Sequence, residues 1–231
     1  MNSMRVIWLR PGTANGFQCE NCLRDRQLLS DLSTAGHTVH SLPVYLPVAE
    51  NERTPVFYGA IRMWLGTTWP VLQKLPNGLN ALLDHHWLLS RIAHYAQTSN
   101  PSKGATMTLA TLSGQYDPRL DGELFDAIDR IGEKPDAFLI STPLLAHQAR
   151  VVHDCFNVPW YSLIGGEDHW VEQLGNEINE HVWELMRMES KTCTAFITCG
   201  QAPNQRIVEE LHLNTRSCLD AFPKINEGVT V

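Results

Sequence analysis

The sequence predicts an α/β domain of the Rossmann-like, doubly wound kind, built on a parallel sheet. Three observations predict it. Short apolar runs of strand length alternate with stripes of helical period along most of the chain. Glycines stand where a strand hands over to a helix, Gly12 and Gly16 early and Gly165 and Gly166 later. The N-terminal part reads strand, Gly-bearing loop, helix, Gly, strand, which is a βαβ unit. Strands alternating with helices point to a parallel sheet, whose ligands bind at the carboxyl ends of the strands.

The run Met4-Arg5-Val6-Ile7-Trp8-Leu9 is the first predicted strand, and the loop from Arg10 to Gln18 follows it. A helix is predicted from about Asn21 to Ala35, because Leu28, Leu29, Leu32 and Ala35 fall at helical spacing. Gly36 stops it, where a left-handed residue is wanted. Thr38 to Leu46 alternates, with Leu42, Val44 and Leu46 on one face, as a second strand does. Residues 47–114 break this rhythm and are read as a largely helical insertion within one domain spanning the whole chain. Within it, 56–61 is strand-like, 79–92 helix-like, and Pro101-Ser102-Lys103-Gly104 is a break. The insertion carries Trp64, Trp69 and Trp87.

The regular order then returns. Leu120, Leu124, Ile128 and Ile131 form a helical stripe, and 136–140 is a buried strand. Ser141-Thr142-Pro143 starts a helix, with Pro at an early helical position. Val158 to Ile164 is a strand ending in Gly165-Gly166, and Leu174, Ile178, Val182 and Leu185 stripe one further helix. Ala195-Phe196-Ile197-Thr198 is a strand, Ile207, Val208 and Leu211 mark a short helix, and Cys218 to Phe222 is a last strand.

Composition narrows the function classes. A net charge of −7 over 231 residues gives no global attraction to nucleic acid or to an anionic membrane. No run approaches the ~20 apolar residues of a membrane span, and the N-terminus lacks a signal-peptide pattern. Five of the six cysteines fall in or beside segments that read as buried, so a reduced, cytoplasmic setting is expected.

Chemistry concentrates at three places. The first loop lacks both the dinucleotide fingerprint and the P-loop pattern. It remains either a plain βα turn or an anion site, in which Gly12, Asn15 and Gly16 let backbone N–H groups approach the ligand at a helix N-terminus. Arg24 would then add a charged contact. Cys19-Glu20-Asn21-Cys22 is a C-x-x-C at a helix start, where a thiolate is stabilised. Thiol redox chemistry is one reading, and two small residues packing a tight turn is the other. Zinc shared with His37 and His40 is disfavoured, because the helix between them is roughly 20 Å long at ~1.5 Å per residue and all zinc ligands lie within ~2.3 Å of the metal. Gly165-Gly166-Glu167-Asp168-His169 follows a buried strand, and its carboxylates and imidazole offer general-base capability or a helix cap.

Taken together, Cys19-Glu20-Asn21-Cys22-Leu23-Arg24-Asp25, the apolar helix, Gly36-His37 and Leu42-Pro43-Val44-Tyr45-Leu46-Pro47 resemble the start of family 4 glycosyltransferases. More narrowly, they are similar to a bacterial subgroup with a C-x-x-C-L-R-D start. Residues 56–61, 79–89 and Gly166-Glu167-Asp168 agree with it. The resemblance implies one half of a GT-B enzyme, the N-terminal, acceptor-side domain. It implies a nucleotide-sugar as co-substrate with no other cofactor and no metal, and a sugar or lipid-linked acceptor. The loop Gly12 to Gly16, with Asn15, Arg24, Gly165 and Gly166, would bind substrate. Many members carry a His where the strand before Glu167 ends, and here Gly165 or Gly166 stands there, so Glu167, Asp168 or His169 would take the catalytic role. The chain stops at Val231, near where the donor-binding domain should begin, so the resemblance implies a split subunit completed by a separate chain or a second copy, a truncated product or a vestige, with low activity for this chain alone. A non-catalytic binding module on the same fold and a thiol-redox protein using Cys19 and Cys22 are the alternatives.

Overall fold

The computed structural model of the protein describes residues 3–11, 20–44, 108–116, 119–198, 205–213 and 218–220. Strands β1 (Arg5–Arg10), β2 (Thr38–Pro43), β3 (Ala137–Ile140), β4 (Trp160–Leu163), β5 (Ala195–Thr198) and β6 (Cys218–Asp220) form one sheet, in the order β2-β1-β3-β4-β5-β6. Every neighbouring pair is parallel. The helices are α1 (Glu20–Thr34), α2 (Arg119–Asp129), α3 (Ala146–Phe156), α4 (Glu167–Glu172), α5 (Asn176–Glu189) and α6 (Gln205–Glu210). A further helical stretch, 108–113, precedes α2. The expected Rossmann-like α/β fold is therefore the observed one.

Alternation along the strands sorts the core onto two faces. Val6, Trp8, Ala137, Leu139 and Leu163 pack with Leu28 of α1 on one face. Ile7, Leu9, Phe138, Ile140 and Trp160 pack on the other, with Leu124 and Ile128 of α2 and Ala149 and Val152 of α3. A second cluster on that side joins Val182, Trp183 and Met186 of α5 to Phe196, Ile207 and Leu112. Both faces of the central strands are covered, which is why those strands read as continuous apolar runs rather than alternating ones.

Helix ends follow the sequence closely. Gly36 sits at φ +86°, and the His37 N–H donates to Leu32 O at 3.0 Å, closing the C-terminal turn of α1. Thr142 accepts the Leu144 N–H through its hydroxyl, so the predicted Ser-Thr-Pro helix start is a capped 3-10 turn (Pro143–Leu145) leading into α3. Gly175, at φ +86°, divides the single helix predicted from the Leu174 stripe into α4 and α5.

Two further expectations change. The second strand ends at Pro43, before Leu46. Of the cysteines expected in or beside buried segments, Cys155 is exposed on its helix, whereas Cys193 is half-buried and its thiol is pushed up to about 12 by burial. Cys19 and most of the expected insertion lie outside the described residues, including 56–61, 79–92 and 101–104. Leu112, at the insertion's far end, is fully buried in the core. No helix among the described residues is long and apolar enough to cross a membrane.

The two leucines that open and centre α1 separate burial from sequence pattern. Leu28→Ala, at a residue 6% exposed, is expected to lower unfolding free energy by about 3 kcal/mol in urea denaturation. Leu23→Ala, at a residue 49% exposed, is expected to stay within about 0.5 kcal/mol of the parent.

Candidate functional site

The chain runs from β1 to β2 on one side of the sheet and returns to β3 on the other. The order therefore reverses between β1 and β3, and the carboxyl ends of those strands flank the crevice where open α/β sheets take ligands. Arg10 ends β1 there, Ser141 and Thr142 follow β3, and Gly165 follows β4. The first turns of α1 and α4 meet at the same edge.

Arg24 spans this edge. Its Nη2 donates to Ser141 O at 2.7 Å and to Asp25 Oδ1 at 2.9 Å, and its Nε donates to the same carboxylate oxygen at 3.1 Å. The pair is largely withdrawn from water, with side chains 12% and 6% exposed, so each charge needs the other. A helix that starts one strand away from β3 is thereby tied to the end of β3. Trp8 makes a second tie, its Nε1 donating to Ser141 Oγ at 2.8 Å. The guanidinium of Arg10 lies 5.8 Å from the Trp8 ring centroid, in cation–π range.

Gly165 is where β4 meets this arrangement. A Cβ there would lie 2.9 Å from Arg24 Nη1 and 3.0 Å from Asn21 Oδ1, so the close approach of α1 depends on glycine. Asn21 and Arg24, three residues apart, share the helix face that rests on it. The Gly165 N–H donates to Glu167 Oε2 at 2.6 Å. Glu167 thus closes the turn from the first turn of α4, and its carboxyl is fully enclosed. Burial pushes that carboxyl above the ordinary glutamate range, against the Gly165 N–H, the Arg24 charge and the Thr142 hydroxyl, all of which favour the ionised form. Among the described residues, Glu167 Oε1 and Arg24 Nη1 are buried without a hydrogen-bond partner.

Of the residues the sequence singles out, Arg24, Gly165 and Glu167 come into one cluster, next to Gly166. Asp168 is buried beside Glu167 in the same turn, and His169 is exposed. Gly12, Asn15 and Gly16 lie outside the described residues. Sequence reasoning missed Asp25, Ser141 and Thr142 as parts of this cluster. Asp25 was signalled by adjacency to Arg24. Ser141 and Thr142 were signalled by following a buried strand, as the glycine pairs do. A separate concavity of about 310 Å³ lies at the opposite, amino edge, lined by Arg5, Ile7, His40 and the 131–135 turn. Its arginine is already paired with Glu133 and Asp136.

Two substitutions test this account of the edge. Arg24→Ala leaves the Asp25 charge buried and unpaired, and is expected to cost about 3 kcal/mol in urea denaturation. Glu167→Gln keeps an acceptor for the Gly165 N–H and removes the ionisation. Because the folded carboxyl sits above its unfolded value, stability is full below the ordinary glutamate range and falls as pH rises through the folded value. The urea midpoint of Glu167→Gln is therefore expected to match the parent near pH 4 and to exceed it at pH 7.5. Equal midpoints at both pH values would contradict the enclosed carboxyl.

No family model and no curated protein matches the sequence. Among solved structures, the fold is similar to Arabidopsis thaliana UGT89C1 complexed with UDP-L-rhamnose, with a TM-score of 0.50 and 16% sequence identity. That likeness covers 94% of this chain and 46% of the other, so the chain spans about half the length of the solved neighbour.

Proposed function

We propose that the chain is the N-terminal, acceptor-side half of a GT-B glycosyltransferase akin to family 4. In this reading it transfers a hexose from a nucleotide-sugar to an acceptor hydroxyl of a sugar or lipid-linked acceptor. The observation that carries the reading is a fold likeness covering nearly all of this chain but under half of a neighbour solved with UDP-L-rhamnose. The charged cluster at the switch point and the C-x-x-C-L-R-D run add support from the site and from the sequence.

The chemistry asks for position more than for reactive groups. Holding donor and acceptor in register removes much of the entropic barrier, and donors aimed at the departing diphosphate stabilise the charge that develops there. The loop bearing Gly12, Asn15 and Gly16 is assigned to that diphosphate, with the N-terminus of α1 behind it. Arg24, Gly165 and Gly166 form the floor of the crevice. Of the three residues proposed for proton chemistry, His169 has its imidazole exposed. Glu167 and Asp168 act from buried positions, Glu167 through the turn it closes. In this reading a donor-binding half completes the site, and the reaction runs in the cytoplasm.

Burial of Glu167 and Asp168 also favours a second reading, a binding module on this fold that performs no transfer. Calorimetric titration with UDP-, GDP- and ADP-sugars, followed by a sugar-transfer assay, separates the two. One nucleotide class is expected to bind, and Gly16→Val is expected to weaken it about tenfold while leaving the urea midpoint unchanged. Binding without transfer, with or without a partner chain, selects the binding module. No binding by any of the three, either to the chain alone or with a donor-binding half added, overturns the glycosyltransferase reading.

A further inference from the structure

A polar cluster lies away from the carboxyl edge, where the segment 108–116 packs on α3 and α5. At its centre is His147, 9% exposed. Its Nδ1 lies 3.3 Å from Glu189 Oε2 and 3.4 Å from Arg150 Nη2. Glu189 Oε2 also takes the Arg150 Nε–H at 2.5 Å, and Arg150 Nη1 reaches Asp154 at 2.9 Å. One carboxylate oxygen therefore faces a guanidinium and an imidazole together.

The opposite edge of the ring seats the turn that follows 108–113. Gly114, at φ +65°, lies so close that a Cβ would overlap Cε1 and Nε2 of His147. Tyr116 meets the ring edge to face, with centroids 5.6 Å apart and an interplanar angle of 89°. Its hydroxyl donates to Asp121 Oδ1 at 2.6 Å, and Gln148 Nε2 reaches Thr111 O and the Tyr116 hydroxyl, each at 3.4 Å. Gly114 and the Tyr116 ring both rest on the His147 ring, and the Tyr116 hydroxyl meets α3 again at Gln148.

We propose that His147 is a proton-sensitive latch, which seats the 114–116 turn on α3 when neutral and releases it when protonated. A neutral ring needs one acceptor, and Glu189 supplies it. An imidazolium carries a second N–H, at Nε2, which faces the Gly114 backbone with no acceptor among the described residues. Its charge also sets it against Arg150 for the same Glu189 oxygen. The charged and titratable groups around the ring are Arg150 and Asp154 on α3, Glu189 on α5, Asp121 on α2 and Tyr116 on the turn. Burial holds the His147 ring below the ordinary histidine range. Arg150 pushes the same way, and Glu189 opposes both. The latch is therefore closed above about pH 6.5, the ordinary histidine value, and opens as pH falls towards the lower folded value.

Hydrogen exchange of the full chain between pH 5.0 and 7.5, corrected for intrinsic rates, tests the proposal. Amides of 111–116 are expected to lose about tenfold protection on acidification, while those of β1 and β3 keep theirs. His147→Asn is expected to remove the pH dependence. Arg150→Met, which leaves Glu189 to an imidazolium alone, is expected to retain protection at pH 5.0. If His147→Asn fails to fold, the parent chain and Arg150→Met still decide. Protection of 111–116 that is flat with pH, or lost equally in Arg150→Met and the parent, overturns the latch.

Discussion

The guanidinium of Arg24 is held at one point by three separate demands. It must neutralise Asp25, which is buried beside it in α1. It must fill the hydrogen-bonding need of the Ser141 carbonyl, just beyond β3. It must lie flat against Gly165, beyond β4, where no side chain intrudes. These contacts fix the first turns of α1 against the ends of two strands. The turn that Glu167 closes is fixed in the same act, because Gly165 is common to both. Moving any one of these groups leaves a charge or a backbone polar group buried without its partner, which is the costly outcome in a dry edge.

The sheet supplies the frame on which that edge is built. Alternate residues of β1 and β3 bury against α1 on one face and against α2 and α3 on the other. The strand ends are therefore held from both sides, and the crevice between β1 and β3 inherits their rigidity. A site on such a scaffold is pre-organised, which suits the positioning role proposed for it. The His147 cluster sits elsewhere, where 108–116 meets α3 and α5, and there the 114–116 turn is held by polar and ring contacts beside the buried Leu112. That contrast places adaptable behaviour at the packing of one turn and constancy at the sheet edge.

Local pattern made most of the fold legible. The stripe Leu28, Leu29 and Leu32 with Gly36 behind it marks α1 and its end, because helical period and a left-handed stop are properties of neighbouring residues. The strands of the sheet were legible for the same reason, since burial on both faces leaves continuous apolar runs. Cys155 lies on a helix that reads as buried, yet it is exposed. It follows Ala146 by nine positions, which at ~100° per residue points it half a turn away from the core. The site was legible only in pieces. Arg24, Gly165 and Glu167 carried signals of their own, but their meeting did not. Arg24 and Ser141 stand 117 residues apart, and only the strand order brings them together. The enclosure of Glu167 was hidden similarly, since general-base and capping roles use the same residues and burial decides between them.

The central claim is that ligands meet this domain at the switch-point edge. Amide chemical-shift mapping of the isotopically labelled chain, titrated with a UDP-sugar, tests it most directly. The account predicts that the largest shifts fall on 21–25, 141–142 and 165–168, the residues around Arg24, Ser141 and Gly165. Shifts confined to the amino edge, on Arg5, His40 and the 131–135 turn, would contradict it.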